Sequence, residues 1–373
     1  MTPAGAAAPS SGTIPSLDGM RAVAVALVFF AHSGLEAVVP GGLGVTIFFV
    51  LSGFLITTLM RVEHARHGRL DFRAFYLRRL LRLMPPLVIV LLLAAALAGL
   101  SVIGGGFTWG GWFAALFYAG NYHAIANDFN GMPAGIGVVW SLAIEEHYYL
   151  FYPPLAALLL RGGRPGRSVA VLASLCLAVL AWRVWLARHG ASDNYLGMAT
   201  DTRVDAILIG CALALWRNPW LDSSPAPKAL RDGALLALAL GLLLLTLLIR
   251  DPAFRHTLRY TLQGVAVAAL LYLAVARSAW WPLRWLNARP LVYLGSVSYT
   301  VYLSHHLILL GLARHAPQWG WLPLTLAGAA LTLLLAEPMR RWVEQPCATL
   351  RRRLHYPRLA HETVPEFRFV GTP

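Results

Sequence analysis

Two polar residues of the first apolar segment are of types that can bind an anion and move a proton. Arg21 closes the run Leu17-Asp18-Gly19-Met20-Arg21, and His32 follows eleven positions later. Eleven helical residues rise about 16 Å over about three turns, so both side chains lie on one face at opposite depths. A guanidinium can hold a phosphate or carboxylate, and an imidazole can exchange a proton near neutral pH. A second interpretation fits equally well: Arg21 anchors the helix end by pairing with Asp18, and His32 is a satisfied polar group within the bundle.

Two adjacent carboxylates, Glu145 and Glu146, lie in a later apolar span that begins near Trp140. Neighbouring helical residues point about 100° apart, so both glutamates cannot face one cavity. One can orient a base or a substrate hydroxyl, while the other can pair with an arginine. A belt of interfacial aromatic residues would explain the nearby tyrosines but not the carboxylates. The pattern therefore favours a functional site.

Arg79 and Arg82 are three residues apart in a basic connection that ends at Pro85, so they share a helix face. Two guanidiniums beside a membrane cavity suit the phosphates of a nucleotide-like donor. The spacing alone fits topology-determining charge or anionic-lipid binding slightly better.

Small residues are concentrated in the second apolar segment, where glycines at 41, 42, 44 and 53 accompany Ser52. They permit close approach of a ligand or of another helix, and helix packing is the simpler interpretation. Further along, Arg203 lies between Asp201 and Asp205, and Arg203 with Asp201 could form an interfacial pair. A run of polar residues at 298–306 occupies a late span.

The elements that carry these residues are predicted to be membrane helices. Of 373 residues, 58% are hydrophobic and 13% charged, against about 25% charged in soluble domains. Lipid leaves no partner for open backbone groups, so an all-α, polytopic bundle is predicted. The net charge of +14 is almost entirely arginine, which is typical of loops flanking membrane spans, and no nucleic-acid partner is predicted.

Apolar stretches near the required length of about 20 residues predict ten spans. These are 17–35, 41–60, 83–103, 138–160, 168–187, 203–216, 232–249, 260–276, 291–312 and 321–338. The glycine-rich segment 107–121 is predicted to be re-entrant or interfacial. Twenty-two of the 31 Lys and Arg residues then fall on one side, which places both termini in the cytoplasm.

The predicted organisation is a flexible N-terminus (1–16), a transmembrane domain (17–346) and a short basic cytoplasmic tail (347–373). Residues 1–16 contain no Lys or Arg, so they lack the basic region of a signal peptide. The three cysteines are far apart, and no histidine pair within a span has the spacing of a zinc site, so no metal is predicted.

In combination, these motifs resemble the acyltransferase-3 family of membrane acyltransferases, in the family's order and over nearly the whole chain. The motifs are Leu17-Asp18-Gly19-Met20-Arg21 with His32, Gly41-Gly42 through Phe54, Arg79-x-x-Arg82-x-x-Pro85, Trp140-Ser141-Leu142 with Glu145-Glu146 and Tyr149, Arg203-Val204-Asp205 with Gly210, Ser298-Tyr299 through Tyr302-Leu303 with His305, and Glu344-Gln345-Pro346. The chain resembles the family's stand-alone branch. His147, Ser304 and His306 depart from the usual pattern, which leaves the acceptor open.

The resemblance implies a co-substrate, acyl-CoA and most often acetyl-CoA, with no permanently bound cofactor, and an acceptor hydroxyl on a polysaccharide or glycolipid. It implies that His32 is catalytic, as general base or as acyl carrier, with Glu145 or Glu146 assisting. Arg79, Arg82 and Arg21 would bind the coenzyme. The other motif residues expected in substrate or acyl-CoA binding are Ser52, Trp140, Arg203, Asp205, Tyr302 and His305. The expected location is the inner or plasma membrane.

Three alternatives are open. The acceptor could be a macrolide or other small hydroxylated metabolite. A transporter or flippase for a polar lipid would equally need ionisable residues within its spans. A non-catalytic membrane scaffold would use the same residues only for stability.

Overall fold

The computed structural model describes residues 14–104 and 106–353, and in these ranges the chain forms helices and no strand. The all-α prediction is confirmed. Most of the predicted flexible N-terminus (1–16) and residues 354–373 of the predicted tail lie outside the described residues.

Seventeen α-helices follow one another along the described chain. They are α1 (Leu17–Phe30), α2 (Gly41–His67), α3 (Phe72–Gly99), α4 (Trp109–Leu116), α5 (Gly120–Asn127), α6 (Trp140–Arg161), α7 (Pro165–Arg188), α8 (Asp193–Met198), α9 (Thr200–Arg203), α10 (Asp205–Trp216), α11 (Ala229–Leu248), α12 (Pro252–His256), α13 (Leu258–Ala276), α14 (Arg289–Ser296), α15 (Ser298–His315), α16 (Trp321–Met339) and α17 (Gln345–Arg353). Short π-helical turns follow α1 (Ala31–Leu35) and α16 (Arg340–Glu344).

Seven helices of the described chain are long and apolar enough to cross a bilayer, and the protein is a multi-pass membrane protein. These seven are α1 with its π turn, α2, α3, α7, α11, α13 and α16 with the turn and helix that follow it. The other three predicted spans are also helical. Helix α6 carries several polar residues and α10 has only 12 residues, whereas the predicted span 291–312 is divided at Val297 between α14 and the polar helix α15. The segment predicted to be re-entrant or interfacial contains the eight-residue helix α4 and the start of α5.

Helix α2 lies at the centre of the bundle and α10 packs along it. In its most apolar stretch 83% of α2 is buried inside the protein, compared with 17% for α7 and for α11. Helices α1 and α13 flank α2, and α1 also contacts α14 and α15. The first and last thirds of the chain therefore meet around α1 and α2.

Two glycines allow the backbones of α2 and α10 to touch. A Cβ atom on Gly53 would lie 1.9 Å from the carbonyl oxygen of Ile207, and one on Gly210 would lie 2.1 Å from that of Val50. Real side chains do not tolerate such distances, so glycine is required at both positions. The small-residue packing predicted for this segment is confirmed at Gly53.

A buried ion pair joins α7 to α10. The Arg183 guanidinium donates to the two carboxylate oxygens of Asp205 at 3.0 and 3.3 Å, and the Thr261 hydroxyl of α13 donates to the same carboxylate at 2.5 Å. Both charged side chains are fully buried. Asp205 was predicted to bind substrate, and here it ties three helices together.

We expect Gly53→Ala to destabilise the bundle by about 1–3 kcal/mol, because the added methyl group must separate α2 from α10. Gly42→Ala is the matched control, since a Cβ atom there meets nothing within 4 Å. The measurement is the melting temperature of each variant in mild detergent. Equal melting temperatures for the two variants would contradict the close packing described above.

We expect Asp205→Leu to cost about 3–5 kcal/mol, because it leaves the Arg183 charge buried without its partner. Adding Arg183→Leu removes that unpaired charge, so the double variant should be more stable than Asp205→Leu alone. Denaturant titration of the purified variants checks this. If the double variant loses as much stability as the Asp205→Leu and Arg183→Leu single variants lose together, the two charges do not interact.

Candidate functional site

His32 lies in the π-helical turn that follows α1, where the regular helix ends. Ser33 and Gly34 leave helical geometry, and Gly34 adopts a φ of +96°. Single π turns inside helices are frequent at functional sites. Here the turn presents the imidazole of His32 to α15, instead of continuing the straight helix expected for 17–35.

A hydrogen bond between two imidazoles assigns the protonation pattern of His32. The Nδ1 atom of His32 lies 2.9 Å from Nε2 of His305. The Nδ1 atom of His305 lies 2.8 Å from the carbonyl oxygen of Tyr302 and 3.1 Å from that of Val301. Carbonyl oxygens only accept, so in the neutral ring His305 Nδ1 carries the hydrogen and His305 Nε2 accepts from His32. The Nε2 atom of His32 is then left with a lone pair, as a general base requires.

A cavity of about 360 Å³ lies beside these histidines. Its walls include His32, Trp140, His306 and several residues of the loop 129–138. The His306 ring stacks on His32 with centroids 4.5 Å apart and an angle of 24° between the planes. The volume falls within the range of about 300–1,000 Å³ typical of small-ligand sites.

Glu145 belongs to a separate network on α6. Its carboxylate accepts hydrogen bonds from the Ser52 hydroxyl at 2.9 Å and from the Tyr149 hydroxyl at 3.0 Å. Tyr149 also lies 3.2 Å from Ser52. The structure thus brings together two predicted site residues, Ser52 and Glu145, through the helices α2 and α6.

Glu146 points elsewhere, toward the arginines of α3. Its charge interacts with that of Arg79, whose guanidinium lies 5.5 Å from the centre of the Tyr149 ring. In the described part of the chain its Oε1 atom is buried without a hydrogen-bond partner. Burial, reinforced by the Glu146 carboxylate, raises the pKa of the Tyr118 hydroxyl in the loop before α5, so this phenol stays protonated.

The three predicted coenzyme-binding arginines lie near one another. Arg79 and Arg82 occupy the first half of α3, and the charges of both interact with that of Arg21 on α1. Arg21 also forms the expected ion pair with Asp18, with 2.7 Å between Nη1 and Oδ1. The charges of Arg82 and Arg21 also act on Glu145. Arginines of α1 and α3 therefore form a cluster that could bind an anion.

Tyr302 lies beside the histidines and also contacts α6. Its ring centre is 5.8 Å from that of His305. Its hydroxyl lies 2.6 Å from the Ser141 hydroxyl and 3.0 Å from the Val138 carbonyl oxygen. Tyr302 thereby ties α15 to α6 and to the loop that lines the cavity.

Arg203 is buried against aromatic rings. Its guanidinium lies 3.7 Å from the centre of the Tyr260 ring and 5.7 Å from that of Trp140, which lines the cavity. It donates to the carbonyl oxygen of Gly197 at 2.8 Å. The structure does not pair Arg203 with Asp201. The Asp201 carboxylate accepts hydrogen bonds from three other residues, Tyr122, Trp182 and Tyr195.

The predicted site residues thus fall into distinct groups. His32, His305, Trp140 and Tyr302 surround the cavity or contact its histidines. The second group contains Arg21, Ser52, Arg79, Arg82, Glu145 and Glu146. Across the described residues, no hydrogen bond or ion pair joins His32 to either glutamate, so their assistance to His32 remains a prediction.

Sequence reasoning missed three contributors: Arg183, His306 and the loop 129–138. Arg183 is a single charged residue within an apolar span, which is a signal for function or pairing by itself. His306 was noted only as a departure from a family pattern. The loop carries Pro and Gly residues between apolar segments, but nothing in that composition identifies it as the wall of a cavity.

Comparisons with known proteins agree with these motifs. A family model described as an acyltransferase domain matches residues 14–338. "Putative peptidoglycan O-acetyltransferase YrhL" of Bacillus subtilis (strain 168) is 31% identical over 358 residues, covering 90% of this chain and 55% of that protein. "O-acetyltransferase OatA" of Staphylococcus aureus (strain NCTC 8325 / PS 47) is 29% identical over 358 residues, covering 89% and 57%. The chain therefore spans little more than half the length of these relatives. No solved structure matches the chain at a significant level.

We expect His305→Ala to lower the rate of any reaction in which His32 is the base by about 10²-fold or more, because His32 loses the acceptor that fixes its tautomer. His305→Gln should retain more activity, since the Gln Oε1 atom can replace His305 Nε2 as acceptor. His315→Ala is the control, because His315 lies on the same helix but is exposed and contacts Val102.

The measurement is kcat against pH for each variant, since a purely structural loss would not change the pH profile. Equal loss in the Ala and Gln variants, with an unchanged profile, would contradict the positioning role of His305.

Proposed function

The chain belongs to the acyltransferase-3 family, and we propose that it is a membrane O-acyltransferase that acetylates a hydroxyl of a carbohydrate. The observation that carries this proposal is the hydrogen bond from His32 to His305, which leaves a basic nitrogen on a ring that lines a ligand-sized cavity. The donor we propose is acetyl-CoA, the acyl-CoA most often used by the family that the motifs resemble.

In the proposed reaction, His32 Nε2 takes the proton of the acceptor hydroxyl as its oxygen attacks the thioester carbonyl. The carbon–sulfur bond then breaks, and the proton passes from His32 to the departing thiolate, so that the ester and the free thiol are the products. An alternative uses the same nitrogen as nucleophile, which would place the acetyl group on His32 before transfer.

The acceptor we propose is a cell-surface polysaccharide or glycolipid. The names of the relatives support this choice, since one of them refers to peptidoglycan. Trp140 and His306 in the cavity wall also suit a sugar, because aromatic faces pack against apolar faces of the ring while imidazole nitrogens bond its hydroxyls.

The donor we propose enters from the side of the arginines. Arg79, Arg82 and Arg21 form a cluster of guanidiniums that can bind its phosphates. We propose that this side is the cytoplasmic face of the inner or plasma membrane, which is where the predicted topology puts the basic connections.

We expect vesicles that carry the protein to transfer label from radiolabelled acetyl-CoA to an acceptor panel, and His32→Ala to lower this transfer by about 10²–10⁴-fold. The panel contains peptidoglycan strands, glycolipids and macrolides. Comparison of inside-out with right-side-out vesicles identifies the donor side, because acetyl-CoA does not cross the bilayer. Label that stays on the wild-type protein but not on the His32→Ala variant when no acceptor is present would identify His32 as an acyl carrier.

Equal transfer by the wild type and the His32→Ala variant would refute the proposed role of His32. A transporter of polar lipid, the competing class of function, predicts no transfer, no donor hydrolysis and no exchange in any vesicle. It also predicts movement of a labelled glycolipid across the bilayer.

A further inference from the structure

Helix α17 lies beyond the residues matched by the family model, which end at 338. It continues from α16 through the π turn Arg340–Glu344 and packs against α3, the helix that carries Arg79 and Arg82. The Thr300 hydroxyl donates to the Glu344 carboxylate at 2.6 Å, which fixes the start of α17 against α15. The segment predicted as the beginning of a basic tail is therefore part of the folded bundle.

One arginine of α17 reaches the cluster on α3. The charge of Arg351 interacts with those of Arg79 and Arg82, and also with that of Glu344. Among the described residues, the Nε atoms of Arg79 and Arg351 are both buried without a hydrogen-bond partner. Two buried donors on neighbouring guanidiniums are costly unless an acceptor satisfies them.

The chemistry of this arrangement selects an anion with several oxygens. Like charges held close together repel one another, and a bound anion relieves that repulsion. Guanidiniums bind phosphate through paired hydrogen bonds, whereas a thioester or an aliphatic chain offers them no comparable acceptor. Phosphate oxygens would therefore satisfy the Nε atoms that the protein leaves without partners.

We infer that α17 forms one wall of the donor site and that Arg351, with Arg79 and Arg82, binds a phosphate of a nucleotide-bearing donor. This inference rests on the proposed function, because it identifies the arginine side of the bundle as the donor site. It adds a binding residue outside the family match and gives the start of the predicted tail a role.

The test is equilibrium binding of coenzyme A, dephospho-coenzyme A and pantetheine to the full-length protein in detergent, measured by calorimetry without any acceptor. We expect the wild type to bind coenzyme A most tightly and pantetheine most weakly. Arg351→Gln should weaken binding of coenzyme A by about 10-fold or more, as expected for loss of a charge-assisted hydrogen bond, and leave pantetheine binding unchanged.

Arg352→Gln is the matched control, since Arg352 is the exposed neighbour on the same helix and bonds Thr349. It should bind all three ligands as the wild type does. Size-exclusion profiles establish that each variant is folded.

Unchanged coenzyme A affinity in Arg351→Gln would overturn the inference. An equal loss for coenzyme A and pantetheine would also overturn it, because a structural role of Arg351 would weaken every ligand alike. A wild type that binds none of the three refutes the phosphate-binding site, whereas the proposed acyl transfer fails separately, in the vesicle assay with its acceptor panel.

Discussion

The contact between the backbones of α2 and α10 determines where the functional side chains lie. Gly53 and Gly210 bring the two helices to a separation that no other residue allows at those positions. Ser52, next to Gly53, contacts the Glu145 carboxylate, and Thr46 on the same helix lies 3.4 Å from the Arg203 guanidinium. A shift of α2 by the width of a methyl group would therefore disturb its contacts with both α6 and α9. The close packing of α2 against α10 thus fixes the positions of the polar groups around these helices.

The bilayer imposes the second constraint, because ionisable groups within it need partners inside the protein. The ionisable residues of this protein find such partners in different ways. His32 and His305 satisfy each other through a hydrogen bond beside the cavity. Asp205 is neutralised by Arg183, and Arg203 packs its guanidinium against aromatic faces. Within the ranges 14–104 and 106–353, Arg79 and Glu146 retain buried atoms without hydrogen-bond partners, and a substrate can satisfy such atoms.

Helix α6 connects the two groups of functional residues. Its first residue, Trp140, lies in the cavity wall, while Glu145 and Glu146 lie about 7.5 and 9 Å further along its axis, on the side of the arginines. In the proposed enzyme, a donor held by its phosphates at the arginines would extend along this helix to bring its thioester to His32. Tyr302 of α15 contacts both His305 and Ser141 of α6. The two adjacent glutamates face different partners, since Glu145 bonds Ser52 and Tyr149 whereas Glu146 lies toward Arg79.

The sequence by itself determined the class of this protein and the residues worth examining. Composition required membrane helices, the length of the apolar stretches placed most of them near their observed bounds, and ionisable residues within apolar spans marked Arg21, His32, Glu145 and Glu146. Spacing along a helix specifies which residues share a face, but it does not specify which helix faces them. The partner of His32 is therefore a residue 273 positions away, and the partner of Asp205 is an arginine that the motifs did not include. Only the tertiary structure brought α17 beside α3 and folded the loop 129–138 into a cavity wall, because both depend on packing between segments that share no local pattern.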